Sequence, residues 1–267
     1  MTSRTDKPAN LESAERLVAQ AAATGADVVV LPEKWNAIGD AAVLHAAAET
    51  LEGGESVAAM AEWSRRHGIT LVGGSITERR EGREKLSNTS LLFDSDGTVV
   101  ATYRKIHLFD VEVGGVTYRE SEAEEPGDEA VVARLEDWGI GLSVCYDVRF
   151  PELYRILALG GAELVTVPAH FTTPTGKDHW HVLLRARAIE NQCYVAAAAQ
   201  VGETLPGKHS YGRSLIVDPW GLVVAQAPDE PTVITAELDR AHLENIRAKL
   251  PSLANRQPNA YRWPAPV

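Results

Sequence analysis

The chain has 267 residues, of which 45% are hydrophobic and 24% charged, values typical of a globular protein large enough to bury a substantial core. Its net charge of −11 argues against electrostatic binding to nucleic acid, and no apolar run approaches the ~20 residues of a membrane span. Two cysteines do not make a disulfide scaffold, and the polar first residues lack a secretory core, so we expect a cytoplasmic protein without nucleic-acid or membrane partners.

Helices are predicted from apolar residues at helical spacing, strands from short Val- and Ile-rich runs, and hairpins from turns such as Asp-Ser-Asp-Gly. In chain order, the predicted elements are a helix over about 10–24, a strand over 26–33, a helix over 55–67, a strand over 69–76, two hairpin strands within 86–106, a strand over 138–147, a helix over 150–162, a strand over 162–171, a helix over 179–192, a strand over 193–202, three strands within 210–239 and a helix over 239–250.

This alternation predicts an α/β protein, and the hairpins indicate mixed rather than purely parallel sheets. No linker, repeat or low-complexity segment divides the sequence, so we predict one domain over residues 1–267. The polar, proline-containing tail from about residue 254 is predicted to be an extended arm.

Three polar residues terminate apolar runs: Glu33, Lys105 and Cys145. Each alone has an ordinary structural explanation, but strand ends of α/β folds often carry functional groups. A cation lowers the pKa of a thiol, a carboxylate can take its proton, and a lysine with the backbone N–H of Tyr146 can stabilise an oxyanion. Together they predict a hydrolase that forms an acyl-thioester. Cys193 is interpreted as a small core residue.

Three segments carry a resemblance to a known family. LPEKWN, YRKIHLFD and CYDVRFPELYR resemble the signature regions of the nitrilase superfamily of carbon–nitrogen hydrolases, and the similarity extends over nearly the whole chain. It implies a four-layer αββα sandwich of two mixed β-sheets flanked by helices, in subunits that pair as a homodimer or higher homo-oligomer. It also implies Glu33 as general base, Lys105 as oxyanion stabiliser and proton donor, Cys145 as nucleophile and Glu120 as a second site glutamate.

The resemblance implies no metal or organic cofactor. His170 and His179 match no zinc-binding spacing. It also implies a strand before residues 1–3. Either the start codon is mis-assigned or this sheet strand is absent, and its absence would expose a sheet edge or lower stability.

The segments KIHLFDVEV, RARAIENQCYVAAAAQ and SYGRSLIVDPWG resemble the Nit branch, which implies a small carboxylate-bearing amide as substrate, deaminated glutathione first. ω-Amidase activity on 2-oxoglutaramate or 2-oxosuccinamate, an idle binding protein on the same scaffold, and a redox sensor using Cys145 and Cys193 remain alternatives. Arg149 is a candidate for the substrate carboxylate. The predicted substrate-binding residues are Tyr146, Arg149, Phe171, Thr172 and Thr173.

Overall fold

The computed structural model describes residues 1–135 and 137–262. Its α-helices are α1 (Lys7–Ala23), α2 (Ala41–Ala47), α3 (Glu55–His67), α4 (Pro151–Leu159), α5 (Thr173–Asn191) and α6 (Arg240–Lys249). Its strands are β1 (Val28–Val30), β2 (Thr70–Val72), β3 (Ile76–Glu78), β4 (Ser87–Phe93), β5 (Val99–Arg104), β6 (Asp110–Val113), β7 (Val116–Arg119), β8 (Val132–Leu135), β9 (Trp138–Leu142), β10 (Leu164–Thr166), β11 (Tyr194–Ala197), β12 (Val201–Leu205), β13 (Lys208–Tyr211), β14 (Leu215–Val217) and β15 (Val223–Gln226). Short 3-10 helices span Glu120–Glu122, Cys145–Arg149 and Pro258–Ala260.

Two mixed sheets form the centre of the molecule. In the first, β1 runs parallel to β2, and β4 is antiparallel to β2, β3 and β5. In the second, whose order is β15-β14-β11-β10-β9-β8, the three central strands β11, β10 and β9 are parallel. Two hairpins, β6–β7 and β12–β13, stand outside these sheets.

The apolar core is arranged in layers. One cluster packs α1 and α3 against the first sheet and includes Val18, Trp63 and Leu71. A second joins residues of both sheets, such as Leu92 and Val165, to residues of α4 and α5. Helices thus cover the outer faces of the two sheets while the inner faces pack against each other, so the predicted αββα sandwich is confirmed.

Several element boundaries differ from the predictions. Helix α5 begins at Thr173 rather than near residue 179, because Pro174 occupies its first turn, where a missing N–H costs nothing. The predicted strand over 138–147 ends at Leu142, and the predicted strand over 193–202 is divided into β11 and β12. Helix α3 matches its prediction residue for residue.

Two other predicted strands were wrong in part. The run 69–76 breaks after Val72 and resumes at Ile76 as β3. The last strand predicted within 210–239 is absent: residues 231–239 have no strand assignment, since no neighbouring strand in the described chain pairs with them. Helix α2, strand β8 and the hairpin β6–β7 were not predicted.

The first residues pack into the fold. The Val201 N–H donates to the Met1 carbonyl at 3.0 Å, and the Ser3 N–H donates to Gln200 Oε1 at 3.0 Å. Beside them β1 is an edge strand in the described part of the chain, and Val28 is 36% exposed.

At the other end, residues 254–262 carry only turns and one 3-10 helix, while 263–267 lie outside the described residues. Among the helices described, none combines the length and apolarity needed to cross a membrane.

Candidate active site

Glu33 lies three residues beyond β1, in a loop fixed by the break between β2 and β3. Ser75 accepts the Lys34 N–H through its hydroxyl at 3.0 Å, and its own N–H donates to the Pro32 carbonyl at 3.2 Å. Gly74 has φ +57°, and a Cβ there would lie 2.1 Å from the Pro32 oxygen, so this crossing requires glycine. The irregularity that interrupts the predicted strand therefore holds the Glu33 loop in place.

The Glu33 carboxylate accepts three hydrogen bonds although the residue is only 2% exposed. Oε1 accepts from Lys105 Nζ at 3.0 Å and from Asn88 Nδ2 at 2.9 Å. Oε2 accepts the backbone N–H of His170 at 2.8 Å. These bonds compensate the burial of the charge and fix the direction in which the carboxylate faces.

Lys105 follows β5 directly, and its ammonium lies between two carboxylates. Nζ is 3.0 Å from Glu33 Oε1 and 2.8 Å from Glu120 Oε2. Burial lowers the pKa of Lys105, but Glu120 and Glu33 outweigh it and raise the pKa well above its ordinary value. The side chain is therefore a fixed cation in the site.

Glu120 begins the 3-10 helix that follows β7. Its Oε2 also accepts the Phe109 N–H at 2.8 Å. Burial raises the pKa of Glu120, whereas Lys105 and Lys34 lower it more strongly, to about 2. Of the four glutamates within residues 120–125, the structure thus brings Glu120 to Lys105.

Cys145 opens the 3-10 helix Cys145–Arg149, with φ +48°. It lies three residues past the end of β9, not at the strand end as the sequence pattern indicated. Its N–H donates to the Pro168 carbonyl at 2.8 Å, and the residue is 6% exposed. Burial and the Glu33 carboxylate raise the pKa of the Cys145 thiol well above its ordinary value, with Lys105 acting in the opposite direction. Glu33 is the carboxylate placed to accept the thiol proton.

Asp147 organises this turn and was not identified from the sequence. Its Oδ2 accepts the Val144 N–H at 2.8 Å and the Tyr103 hydroxyl at 2.7 Å. Its Oδ1 accepts the His107 N–H at 3.2 Å and lies 2.8 Å from His107 Nδ1. The side chain is fully buried. Its hydrogen bonds with Val144 and His107 join the turn that carries Cys145 to the segment that carries Lys105. The sequence does contain a signal for Asp147: it is a carboxylate residue two positions after the candidate nucleophile.

Aromatic side chains lie next to the site residues in the chain and pack against one another. The rings of Phe109 and Tyr146 lie 5.1 Å apart, as do those of Phe109 and Tyr118. The Arg149 guanidinium lies 5.2 Å from the Phe171 ring centroid and 5.9 Å from that of Tyr146. It also lies within hydrogen-bonding distance of His179 Nδ1, at 3.1 Å. No carboxylate of the described chain pairs with Arg149, so the cation is available to an anionic group.

The predicted substrate-binding residues Thr172 and Thr173 form hydrogen bonds within the protein. Thr172 Oγ1 lies 2.7 Å from Thr175 Oγ1, and Thr173 Oγ1 donates to the His209 carbonyl at 2.9 Å. The segment is the ordered start of α5 rather than a flexible turn. Phe171, 4% exposed, packs under Arg149 and against Trp180. Cys193 is fully buried in the apolar core, as expected for a structural residue.

A carboxylate, an ammonium and a thiol on an αββα sandwich form the kind of site in which amides are hydrolysed through a thioester. Residues 1–248 match the family described as Carbon-nitrogen hydrolase. The chain is 42% identical to a deaminated glutathione amidase from Synechocystis over 96% of this chain and 95% of that protein. It is 39% identical to the omega-amidase NIT2 of Danio rerio over 96% of this chain and 91% of that protein.

The solved structure of Saccharomyces cerevisiae Nit3, a member of branch 10 of the nitrilase superfamily, superposes with a TM-score of 0.87. The two sequences are 34% identical, and the match covers 96% of this chain and 93% of that one. The chain belongs to the carbon–nitrogen hydrolase family, and it is an amide hydrolase of the Nit type.

Proposed function

We propose that this chain hydrolyses a small carboxylate-bearing amide through a cysteine thioester, with deaminated glutathione as the first candidate substrate. The observation that carries the mechanism is the contact of Glu33 with Lys105 beside the Cys145 turn. The relative named for deaminated glutathione supports the substrate. The omega-amidase relative, nearly as similar, supports 2-oxoglutaramate or 2-oxosuccinamate as the alternative.

In the first half-reaction, Glu33 takes the thiol proton of Cys145 as the sulfur attacks the amide carbonyl. The oxyanion is held by the Lys105 ammonium and by the backbone N–H of Tyr146, at the start of the 3-10 helix where helix N–H groups lack partners within the helix. The carbon–nitrogen bond breaks as the nitrogen receives the proton through Glu33 and Lys105, and an amine or ammonia leaves.

In the second half-reaction, water replaces the leaving group. Glu33 takes a proton from the water, the hydroxide adds to the thioester carbonyl, and the carbon–sulfur bond breaks. The acid product departs, and the proton returns to Cys145. Glu120 keeps Lys105 charged and in place throughout. The chain's own side chains supply each of these steps, and the scheme uses no metal or organic cofactor.

Arg149 is the proposed partner for the substrate carboxylate. The guanidinium stands one helical turn beyond Cys145, on the Tyr146 and Phe171 rings. Thr172 and Thr173 are proposed as part of the same pocket wall, on the loop that enters α5.

The assembly we propose is a homodimer or higher homo-oligomer of single-domain subunits spanning residues 1–267, each with an arm from about residue 254. Large apolar side chains are exposed on the adjoining helices α4 and α5 and on the turn beside them: Ile156, Leu159, Val182, Ile189, Trp220 and Leu222. Such a patch favours a second copy as partner. Both cysteines are free and buried thiols, which suits the cytoplasm.

The test is turnover of a panel: deaminated glutathione, 2-oxoglutaramate, glutamine, an N-carbamoyl amino acid and a simple nitrile. Cysteinylglycine or ammonia release is measured for the wild type and for Cys145→Ala. Cysteine-dependent turnover strongest on deaminated glutathione supports the proposal. Preference for 2-oxoglutaramate moves the substrate assignment to the ω-amidase alternative. A folded protein that turns over none of them contradicts the assignment and favours the idle scaffold. A reversible Cys145–Cys193 disulfide instead favours the redox sensor.

A further inference from the structure

The buried charges of the site extend beyond the three groups of the proposed mechanism. Glu33, Lys105, Glu120, Lys34 and Glu124 form a row in which negative and positive side chains alternate. Lys34 Nζ lies 3.5 Å from Glu120 Oε1 and 2.7 Å from Glu124 Oε1. The outer pair, Lys34 and Glu124, has no role in the mechanism described above.

Lys34 is placed there by an unusual backbone conformation. It follows Glu33 directly, has φ +47° and is 8% exposed. A non-glycine residue in the left-handed region carries a conformational cost that its surroundings must offset. Here the turn sends Glu33 toward Lys105 while Lys34 passes to the far side of Glu120.

Glu124 faces Lys34 in a site that gives it little other support. The residue is 1% exposed, and neither of its carboxylate oxygens has a donor in hydrogen-bond geometry within the described chain. The Lys34 ammonium is close enough to form an ion pair, although its angle is not that of a hydrogen bond. Burial and the neighbouring Glu120 raise the pKa of Glu124, while Lys34 lowers it.

The two oxygens of Glu120 are held from opposite sides. Oε2 binds Lys105 Nζ and the Phe109 N–H, each at 2.8 Å, and Oε1 faces Lys34. Without Lys34, one oxygen of Glu120 loses its counter-charge. The carboxylate is then held through Oε2 alone, so its orientation is less constrained, and so is that of the ammonium that is to meet the oxyanion.

We propose that Lys34, held by Glu124, is a positioning residue that fixes Glu120 and thereby the Lys105 ammonium in its catalytic orientation. The proposal rests on the function proposed above. It assigns Lys34 and Glu124 no contact with substrate.

The test compares Lys34→Met with Lys7→Met. Lys7 is the matched control because it is another largely buried lysine between two glutamates, 2.5 Å from Glu49 and 3.2 Å from Glu55, outside the site. Rates are expressed per folded chain, with the folded fraction measured by circular dichroism, so that unfolded protein does not count. Wild-type turnover of the amide must be present first; its absence would contradict the proposed function and not this inference.

For Lys34→Met we expect kcat to fall roughly 10- to 100-fold with little change in KM, the size of effect that a small misplacement in a site produces. The acid limb of the kcat/KM profile should move to higher pH, because a cation that favours the ionised carboxylates has been removed. Lys7→Met should leave kcat and both limbs unchanged. A purely structural role would lower the unfolding temperature of both variants and move neither profile.

Glu124→Gln provides a second, independent test if Lys34→Met does not fold. The substitution removes the partner that holds Lys34, so kcat should fall in the same direction as in Lys34→Met but by a smaller factor, because Lys34 keeps its contact with Glu120. Lys34→Arg, which keeps the charge, should recover part of the lost kcat. Wild-type kcat in Glu124→Gln would overturn the proposal, as would wild-type kcat and pH profile in Lys34→Met.

Discussion

The Glu33 carboxylate accepts a hydrogen bond from the Lys105 ammonium, with Oε1 and Nζ 3.0 Å apart and both side chains almost wholly hidden from solvent. A buried ion pair of this kind contributes little to stability on its own, because both charges lose their hydration. The pair instead orients the site, because it fixes a base and a cation beside the same thiol.

Glu33→Gln should remove the base while preserving the shape of the side chain. An amide cannot accept the thiol proton, so we expect kcat to fall about 10²- to 10⁴-fold. Steady-state turnover per folded chain, with the folded fraction measured by circular dichroism, is the measurement. The control is Glu78→Gln, another buried carboxylate in the first sheet, whose partner Arg104 lies 2.7 Å away. Equal losses in the two variants would show that Glu33 is only a structural ion-pair partner.

Asp147→Asn should weaken both folding and catalysis. The amide leaves one side-chain oxygen to accept where donors now approach two, so we expect about 1–3 kcal/mol less unfolding free energy together with lower kcat. Urea unfolding and turnover check the two effects. Tyr103→Phe removes a single donor at 2.7 Å and serves as the milder comparison. Wild-type kcat in a folded Asp147→Asn protein would mean that the carboxylate does not position the nucleophile turn.

His170 predicts a pH dependence of stability. Burial lowers its pKa from 6.5 to about 4. The unfolded chain therefore binds the proton first, and the unfolding free energy should fall as the pH drops from 6.5 toward 4. His170→Gln keeps the backbone N–H that holds Glu33 and should lack this part of the decline. Urea titrations across that range provide the measurement, and identical slopes in the two proteins would exclude His170 as the cause.

Arg149→Met should raise KM for a carboxylate-bearing amide by about tenfold or more, the loss of one charged contact, with kcat little changed. The matched control is the methyl ester of the same amide, for which the variant and the wild type should have similar KM values. If KM rose equally for the acid and the ester, Arg149 would act on the shape of the loop and not on the carboxylate.

The sequence predicted the site best where a residue with a reactive side chain follows an apolar run. Glu33, Lys105 and Cys145 each follow an apolar run, and strand ends of α/β folds often carry functional groups, so their grouping could be predicted before the fold was known. The same reasoning misplaced Cys145 on a strand, because the φ +48° turn that presents it has no signal in the hydrophobic pattern.

The supporting groups depend on tertiary contacts that periodicity does not encode. Asn88 lies in β4, where the polar residues 87–90 are as buried as the apolar ones that follow. His170 contributes a backbone N–H, to which its side-chain identity is irrelevant. Gly74 breaks a strand to approach Pro32 closely, a role that only the folded chain reveals.

The central claim is that Cys145 carries the acyl group during turnover. The most direct measurement is mass spectrometry of the protein after mixing with the amide and quenching in acid, with peptide mapping of any added mass. We predict an acyl adduct on Cys145 that is lost in Cys145→Ala together with turnover. An adduct on another residue, or undiminished turnover by Cys145→Ala, would contradict the claim.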